Sequence, residues 1–288
     1  MPEANSRSAG ERLFIGLQYL LPQHFLSRLV WSLARTRVVW LKRALIRAFL
    51  RHYPVDLSEA ERPDPSAYES FNDFFTRRLR QGARAIDAAT AVCPVDGYVS
   101  QAGLLEGSTL LQAKGIHFSA SDLLGGDPTL AAQFAGGSFA TLYLAPHNYH
   151  RVHMPLAGTL RLARYIPGDL FSVNATTAEG LPGLFVRNER IASVFDTAAG
   201  PMAVVLVGAL FVGSMSLAWA GEVRGQRPRA TRDLPVQPVV ALDRGAELGW
   251  FNMGSTVVLM FAGKGPALVP GLAAGRPVRM GEPIATLR

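Results

Sequence analysis

Apolar positions in the first fifty residues recur at helical spacing. Leu13, Leu17, Leu20 and Leu21 share one face, Pro22 ends or bends that segment, and Phe25, Leu26, Leu29, Val30 and Leu33 resume the period. Arg43, Arg47 and Arg51 then form a stripe at four-residue spacing, with Leu41, Leu45, Ala48 and Phe49 opposite and Trp31 and Trp40 nearby. This spacing predicts amphipathic helices over 12–51. A polar connector follows from Pro54 to Pro65. Ser70–Arg80 reads as a short helix capped by Ser70 or Asn72, with Phe71, Phe74 and Phe75 turned inward.

Beyond residue 90 the period changes. Short apolar runs alternate with Gly, Pro, Asn and Asp: Phe139–Ala145, Leu160–Ile166, Met202–Val207, Val239–Leu242 and Thr256–Phe261. No helix-length period separates them, so a parallel α/β sheet is not expected. The fold class predicted is α+β: N-terminal amphipathic helices over 1–54, then a mainly antiparallel β core over 55–288 of barrel-sandwich or Greek-key type. The C-terminal VPGLAAGRPVRMGEPIATL loosely resembles the last hairpins of lipoyl-carrier domains. Thr197–Gly221 lacks Asp, Glu, Lys and Arg over 25 residues, long enough to cross a bilayer. Pro201, Gly208, Gly213 and Ser214 interrupt it and Val204–Val207 is β-rich, so two buried strands joined near Gly213 are expected instead. Gln18, Pro22, Gln23 and His24 break the uncharged stretch 13–27, which argues against a secretory signal.

Charge sharpens the picture of the N-terminus. The net charge is +7, and residues 1–51 carry all of that excess, with nine basic and two acidic side chains. A basic segment on a neutral body points to an anionic partner. A nucleic acid would take the arginines but leave the apolar face without a partner, so none is expected. An anionic membrane takes both. An ordinary amphipathic helix packed on its own domain is the plainer alternative. A single cysteine, Cys93, excludes an intrachain disulfide.

Three segments carry chemistry-bearing residues. Pro94–Gly97, PVDG, holds Asp96 on a turn. Pro146–Pro155, PHNYHRVHMP, spaces His147, His150 and His153 at intervals of three. On an extended strand His150 faces away from the other two, so three imidazoles would not converge on zinc without a bend. No metal is expected. Phe251–Phe261, FNMGSTVVLMF, places Gly254, whose carbonyl no side chain shields, before the Ser255 hydroxyl. Taken singly, each is equally a surface turn, a structural histidine cluster or a turn into a strand. Together they supply the parts of an activated hydroxyl: a nucleophile, a base and a carboxylate to orient it. A membrane-associated serine hydrolase using Asp96, His153 and Ser255 is therefore one reading, and a non-catalytic lipid-binding protein another. An α/β-hydrolase is disfavoured, because Ser255 lies outside a G-x-S-x-G elbow.

The P-x-D-G turn, the Y-H-R-x-H segment and the G-S-T triplet, in this order, resemble the bacterial-type phosphatidylserine decarboxylases. The resemblance runs from ERLFIGLQYLLP through FNDFFTRRLR, LLQAKG, YHRVHMPLAG, YIPGDLFSVN, LFVRNER and FDTAAGPMAVVLVGA to MGSTVVLMF. Met253 stands where many relatives have leucine, which keeps bulk and apolarity.

The resemblance implies a pyruvoyl enzyme that converts phosphatidylserine to phosphatidylethanolamine and CO2. Asp96 would orient His153, His153 would take the Ser255 proton, and the Ser255 oxygen would attack the Gly254 carbonyl. Elimination from the ester would free Gly254 as a C-terminus, and loss of ammonia would leave Ser255 as a pyruvoyl group, the covalent cofactor that forms a Schiff base with substrate. His150 would protonate the carbon that loses CO2. A large chain, 1–254, would stay associated with a small chain, 255–288. Arg151, Lys114 and Arg187 are candidates for the headgroup. The expected location is peripheral, on the cytoplasmic side of the cell membrane, with anionic lipids as partners and a homo-oligomer left open.

Overall fold

Three helices open the chain in the computed structural model, which describes residues 8–211, 214–225 and 229–287. Ser8 caps α1 (Ala9–Leu20): its side chain accepts from Glu11 N while the Glu11 carboxylate accepts from Ser8 N. Pro22 separates α1 from α2 (Gln23–Ala34), and α3 spans Val39–His52. No helix among the described residues is long and apolar enough to cross a membrane.

The amphipathicity of α1 and α2 runs inside out. Gln18, Gln23 and Ser27 are buried, whereas Leu13, Leu17, Leu20, Phe25, Leu29 and Leu33 are exposed. The inner polar side chains bond to the body of the protein. Gln18 Oε1 accepts from Ser172 N (2.8 Å), Gln23 Oε1 accepts from Leu170 N (2.7 Å) and Ser27 Oγ accepts from Phe211 N (3.2 Å). Such bonds satisfy polar groups that burial would otherwise penalise. Val38, Val39 and Trp40 extend the exposed apolar surface to the start of α3.

The third helix is packed the conventional way round. Ile46 is buried, and Leu45, Phe49 and Leu50 lie against Tyr68 and the aromatic face of α4 (Phe71–Phe75), while Arg43, Arg47 and Arg51 stay in solvent. The Phe49 ring meets Phe71, Phe74 and Phe75 at centroid distances of 5.3, 6.0 and 6.0 Å. Ser70 caps α4 by accepting from Asp73 N. The helix stops at Phe75 rather than running to Arg80, because Thr76 turns back on Asn72 O and Leu79 bridges to Ala60.

The body is built from antiparallel strands. One sheet of nine runs, edge to edge, through Arg232–Asp233, Gly158–Ile166, Arg190–Thr197, Gly200–Val207, Ser255–Phe261, Ser138–Leu144, Gly97–Leu104 and Pro277–Val278, with Ala241–Leu242 also on the Gly158 strand. A four-stranded sheet joins Gly221–Val223, Met215–Leu217, Glu247–Phe251 and Arg151–His153. Both sheets are open at two-residue or three-residue edge strands, so the barrel expected from sequence does not close among the described residues. Closure is not required, because both faces of the large sheet are already covered. Val257, Leu259 and Phe261 enter one core with Leu142, Val204 and Leu248, whereas Val258 and Met260 enter another with Phe134, Val205 and Phe185.

The uncharged run Thr197–Gly221 resolves into buried strands Gly200–Val207 and Met215–Leu217, and its expected junction at Gly213 lies outside the described residues. Only Ala241–Leu242 of the Val239–Leu242 run is strand, and Val239 is exposed. The strand Ser255–Phe261 is central: Ser255 pairs with Leu144 and Phe261 with both Ser138 and Met202. In a Ser255→Ala background, Leu259→Ala should lower unfolding stability by about 2–5 kcal/mol, read from the urea midpoint; a loss below about 1 kcal/mol would mean that this strand is loosely packed.

Candidate active site

Ser255 is the first residue of that strand and is buried at its entrance. The preceding turn, Asn252–Gly254, is held from two sides. Asn72 Nδ2 of α4 donates to Asn252 O (2.8 Å), and Asn252 Nδ2 donates to Ser214 Oγ (2.9 Å) and Ser216 Oγ (3.1 Å). Met253 packs against the α3–α4 aromatic cluster. The Ser255 Oγ has no hydrogen-bond partner among the described residues, an uncommon state for a buried hydroxyl.

The group closest to this junction is His150. A Cβ built on Gly254 would lie 3.3 Å from His150 Nε2 and 3.6 Å from Leu144 O. His150 is fully buried, with its ring 4.0 Å from that of Phe75. Its Nδ1 lies 2.8 Å from Asn148 O. A carbonyl can only accept, so Nδ1 carries the proton and Nε2 presents a bare lone pair toward Gly254. Nε2 has no partner among the described residues. Burial, then the Arg77 guanidinium, push the His150 pKa down to about 3, with the Asn148 carbonyl opposing and His147 adding to the depression.

His153 is held elsewhere. Its Nδ1 donates to Gly245 O (2.8 Å), and its Nε2 faces the Tyr149 hydroxyl at 2.9 Å. Burial lowers its pKa despite the Gly245 carbonyl and Glu247, so the neutral ring accepts from Tyr149. Asp96 accepts from Arg84 Nε (3.1 Å) and Met280 N (2.8 Å). His153 N donates to Pro94 O, two residues before Asp96, yet no hydrogen bond joins Asp96 to His153 or either to Ser255. The segment 146–150 is a turn closed by Asn148 on Ala145, so only Arg151–His153 is strand. His147 and His150 sit on that turn, not on an extended strand as the alternation argument assumed.

Ser255 and Gly254 line an apolar pocket of about 330 Å³ with Phe49, Tyr53, Phe75, Tyr143 and Phe211. A hydrophobic pocket with few polar groups suits a small substrate moiety carried on an apolar body. The three headgroup candidates do not line it. Arg151 is committed to Thr76 O and Glu247, Lys114 is exposed on a hairpin turn, and Arg187 stacks over Tyr19 and Phe171. Sequence reading missed Phe49, Tyr53, Phe211 and Tyr149. Tyr149 lies inside the Y-H-R-x-H segment and could have been found there, whereas Phe49 looked like one more apolar helix position.

A family model described as phosphatidylserine decarboxylase matches residues 71–286, and a second, PSD, matches 13–54. The chain belongs to the phosphatidylserine decarboxylase family. The phosphatidylserine decarboxylase proenzyme of Pseudomonas paraeruginosa is 52% identical over 280 residues, covering 96% of this chain and 97% of that one. That of Ectopseudomonas mendocina is 53% identical over 277 residues, covering 94% and 97%. That of Pseudomonas putida is 52% identical over 279 residues, covering 95% and 97%. Against that family background, the unpartnered Ser255 hydroxyl behind an unshielded glycine carbonyl fits a chain whose serine is to be consumed.

The buried His150 gives a pH signature. A histidine whose folded pKa is depressed stabilises the fold above its unfolded value of 6.5, and that contribution is lost as pH falls toward about 3. Stability of the uncut Ser255→Ala chain should therefore drop between pH 6.5 and 3, and His150→Gln should flatten that slope in urea titrations across the range. An unchanged slope would mean that the ring titrates near its ordinary value.

Proposed function

We propose that the chain is a proenzyme that cuts itself between Gly254 and Ser255 and then decarboxylates phosphatidylserine to phosphatidylethanolamine at a membrane surface. The observation that carries the reading is the buried, unpartnered Ser255 hydroxyl next to Gly254, with the bare Nε2 of His150 close to Gly254. For the cut, Ser255 Oγ adds to the Gly254 carbonyl and the peptide becomes an ester, after which loss of the Cα proton of residue 255 expels Gly254 as a carboxylate. Water then displaces ammonia from the dehydroalanine left at 255. The chains 1–254 and 255–288 stay together because the Ser255 strand is hydrogen-bonded on both edges.

The base for the cut is His153, oriented by Asp96, on the strength of the resemblance. That role requires His153 to exchange the Tyr149 hydroxyl for Ser255 Oγ. The position of His150 Nε2 favours a second assignment, in which His150 takes the Ser255 proton directly.

Loss of CO2 leaves an electron pair that no side chain of the twenty can accept, and a pyruvoyl group at 255 supplies an electron-accepting carbonyl for it. Phe49, Phe75, Tyr143 and Phe211 give this centre apolar walls. Burial favours the neutral ring of His150, and an anionic headgroup nearby pulls its pKa upward. The ring then takes a proton as substrate enters and delivers it to the carbon that lost CO2.

The inside-out helices explain how the lipid arrives. Leu17, Leu20, Phe25, Leu29 and Trp40 enter the headgroup region, the arginines of α3 meet anionic lipid, and the location is peripheral on the cytoplasmic face of the cell membrane. Phe211 is part-exposed, lines the Ser255 pocket and is tied to Ser27 of α2, so pocket and membrane face adjoin.

On a denaturing gel, Ser255→Ala and His153→Ala should each give one uncut, inactive chain, while His150→Ala should be cut yet release no phosphatidylethanolamine. An uncut His150→Ala beside a normally cut His153→Ala would move the base role to His150. Labelling of an intact chain at Ser255 by a fluorophosphonate would instead point to a serine hydrolase. Leu17→Glu combined with Leu29→Glu should reduce liposome pelleting about tenfold or more and leave the cut unaffected; unchanged pelleting would remove these helices from membrane binding.

A further inference from the structure

A second cleft, lined by none of the residues of the Ser255 pocket, lies between α2 and the body. His24, Arg28 and Arg229 line both of two adjoining hollows, of about 120 and 390 Å³. Arg224 and Glu189 complete the inner one, while Arg187 and Asp169 border the outer one. Its rim includes Tyr19, Leu21 and Phe25, which belong to the exposed apolar face of α1 and α2.

The four arginines of this cleft, Arg28, Arg187, Arg224 and Arg229, outnumber its two carboxylates, Glu189 and Asp169. Among the described residues, no carboxylate lies within ion-pair distance of Arg28, Arg187, Arg224 or Arg229, although nine other arginines have such partners. Arg28 donates to His24 O of its own helix, Arg187 to the Tyr19 hydroxyl, and Arg224 stacks over Trp31. Burial raises the Glu189 pKa, against the Tyr165 hydroxyl and the Arg229, Arg232 and Arg224 guanidinium groups, which lower it. His24 Nε2 is a buried polar atom without a partner among the described residues. Convergent guanidinium groups match the several acceptor oxygens of a phosphate, and His24 Nε2 joins them as a donor once a bound anion favours the protonated ring.

We propose that this cleft binds a phosphate ester, the headgroup phosphate of an anionic phospholipid held apart from the reacting substrate or a free phosphate compound. The lipid source rests on the membrane-face reading of α1 and α2 given above. Leu170 and Phe171 line the cleft while the next three residues, Ser172, Val173 and Asn174, line the Ser255 pocket. An occupant therefore buttresses one wall of the active site from behind.

The test uses full-chain protein with paired charge reversals. Arg28→Glu with Arg229→Glu alters the cleft, and Arg47→Glu with Arg51→Glu makes the same net change on the exposed stripe of α3. Binding to phosphatidylcholine vesicles containing phosphatidylglycerol, which lacks the serine amine, is measured by pelleting, and sn-glycerol 3-phosphate is titrated by calorimetry. Two-band processing equal to wild type reports an intact fold; if the reversals misfold, the Arg→Gln pairs replace them. The cleft pair should lose about tenfold more vesicle affinity than the control pair, which assigns the lipid source. Equal vesicle losses with glycerol phosphate binding abolished only in the cleft pair assign the free phosphate. Equal losses with no glycerol phosphate binding overturn the cleft but leave membrane docking standing. Wild-type protein that binds neither vesicles nor glycerol phosphate overturns both.

Discussion

The structure depends on how one junction is held. Gly254 and Ser255 stand at the head of a strand paired on both edges and covered on both faces, with the serine hydroxyl buried and Gly254 half-buried in the pocket wall. In such a setting polar interactions are strengthened, and an unpartnered hydroxyl or imidazole nitrogen is held at a free-energy cost. The chain carries two of these near Gly254, Ser255 Oγ and His150 Nε2, which are not hydrogen-bonded to each other. On the proposed function the hydroxyl and the lone pair are reactants, which gives that cost a purpose. Burial also lowers the His150 pKa and so favours its neutral ring.

The N-terminal helices are bound to this junction rather than appended to it. Phe49 of α3 touches the α4 phenylalanines, Phe75 stacks on His150, and Asn72 of α4 holds Asn252. A displacement of α3 by the bilayer would reach the scissile turn through three contacts. Meanwhile α1 and α2 turn amides and a hydroxyl inward and leucines outward, an arrangement that costs free energy in water and that the proposed membrane contact would offset.

Much of this was legible in the sequence, because the signals were periodic or local. The break at Pro22, the inward phenylalanines of 71–75, and the strands Ser138–Leu144, Gly158–Ile166, Gly200–Val207 and Ser255–Phe261 of the large sheet follow from spacing, whereas Gly97–Leu104 and Arg190–Thr197 do not. The alternation in TVVLMF even distributes its side chains between two cores. The direction of the α1 and α2 faces was not legible, since a leucine stripe looks the same whether it meets protein or lipid; only the bonds from Gln18, Gln23 and Ser27 decide it. Nor could spacing rank the histidines. A turn closed by Asn148 swings His150 toward Gly254, while the strand pairing of Glu247 with His153 leaves the latter bonded to Gly245 and Tyr149. Among the described residues both sheets end in short edge strands and no barrel closes, a long-range outcome that no local motif encodes.

The central claim is that Ser255 is consumed to make the reactive group. Intact-mass spectrometry of the purified, active protein tests it most directly. Two polypeptides are expected, 1–254 with a free carboxylate and 255–288 lighter by one ammonia than the peptide that simple hydrolysis would release. A single unbroken polypeptide in fully active material would contradict it.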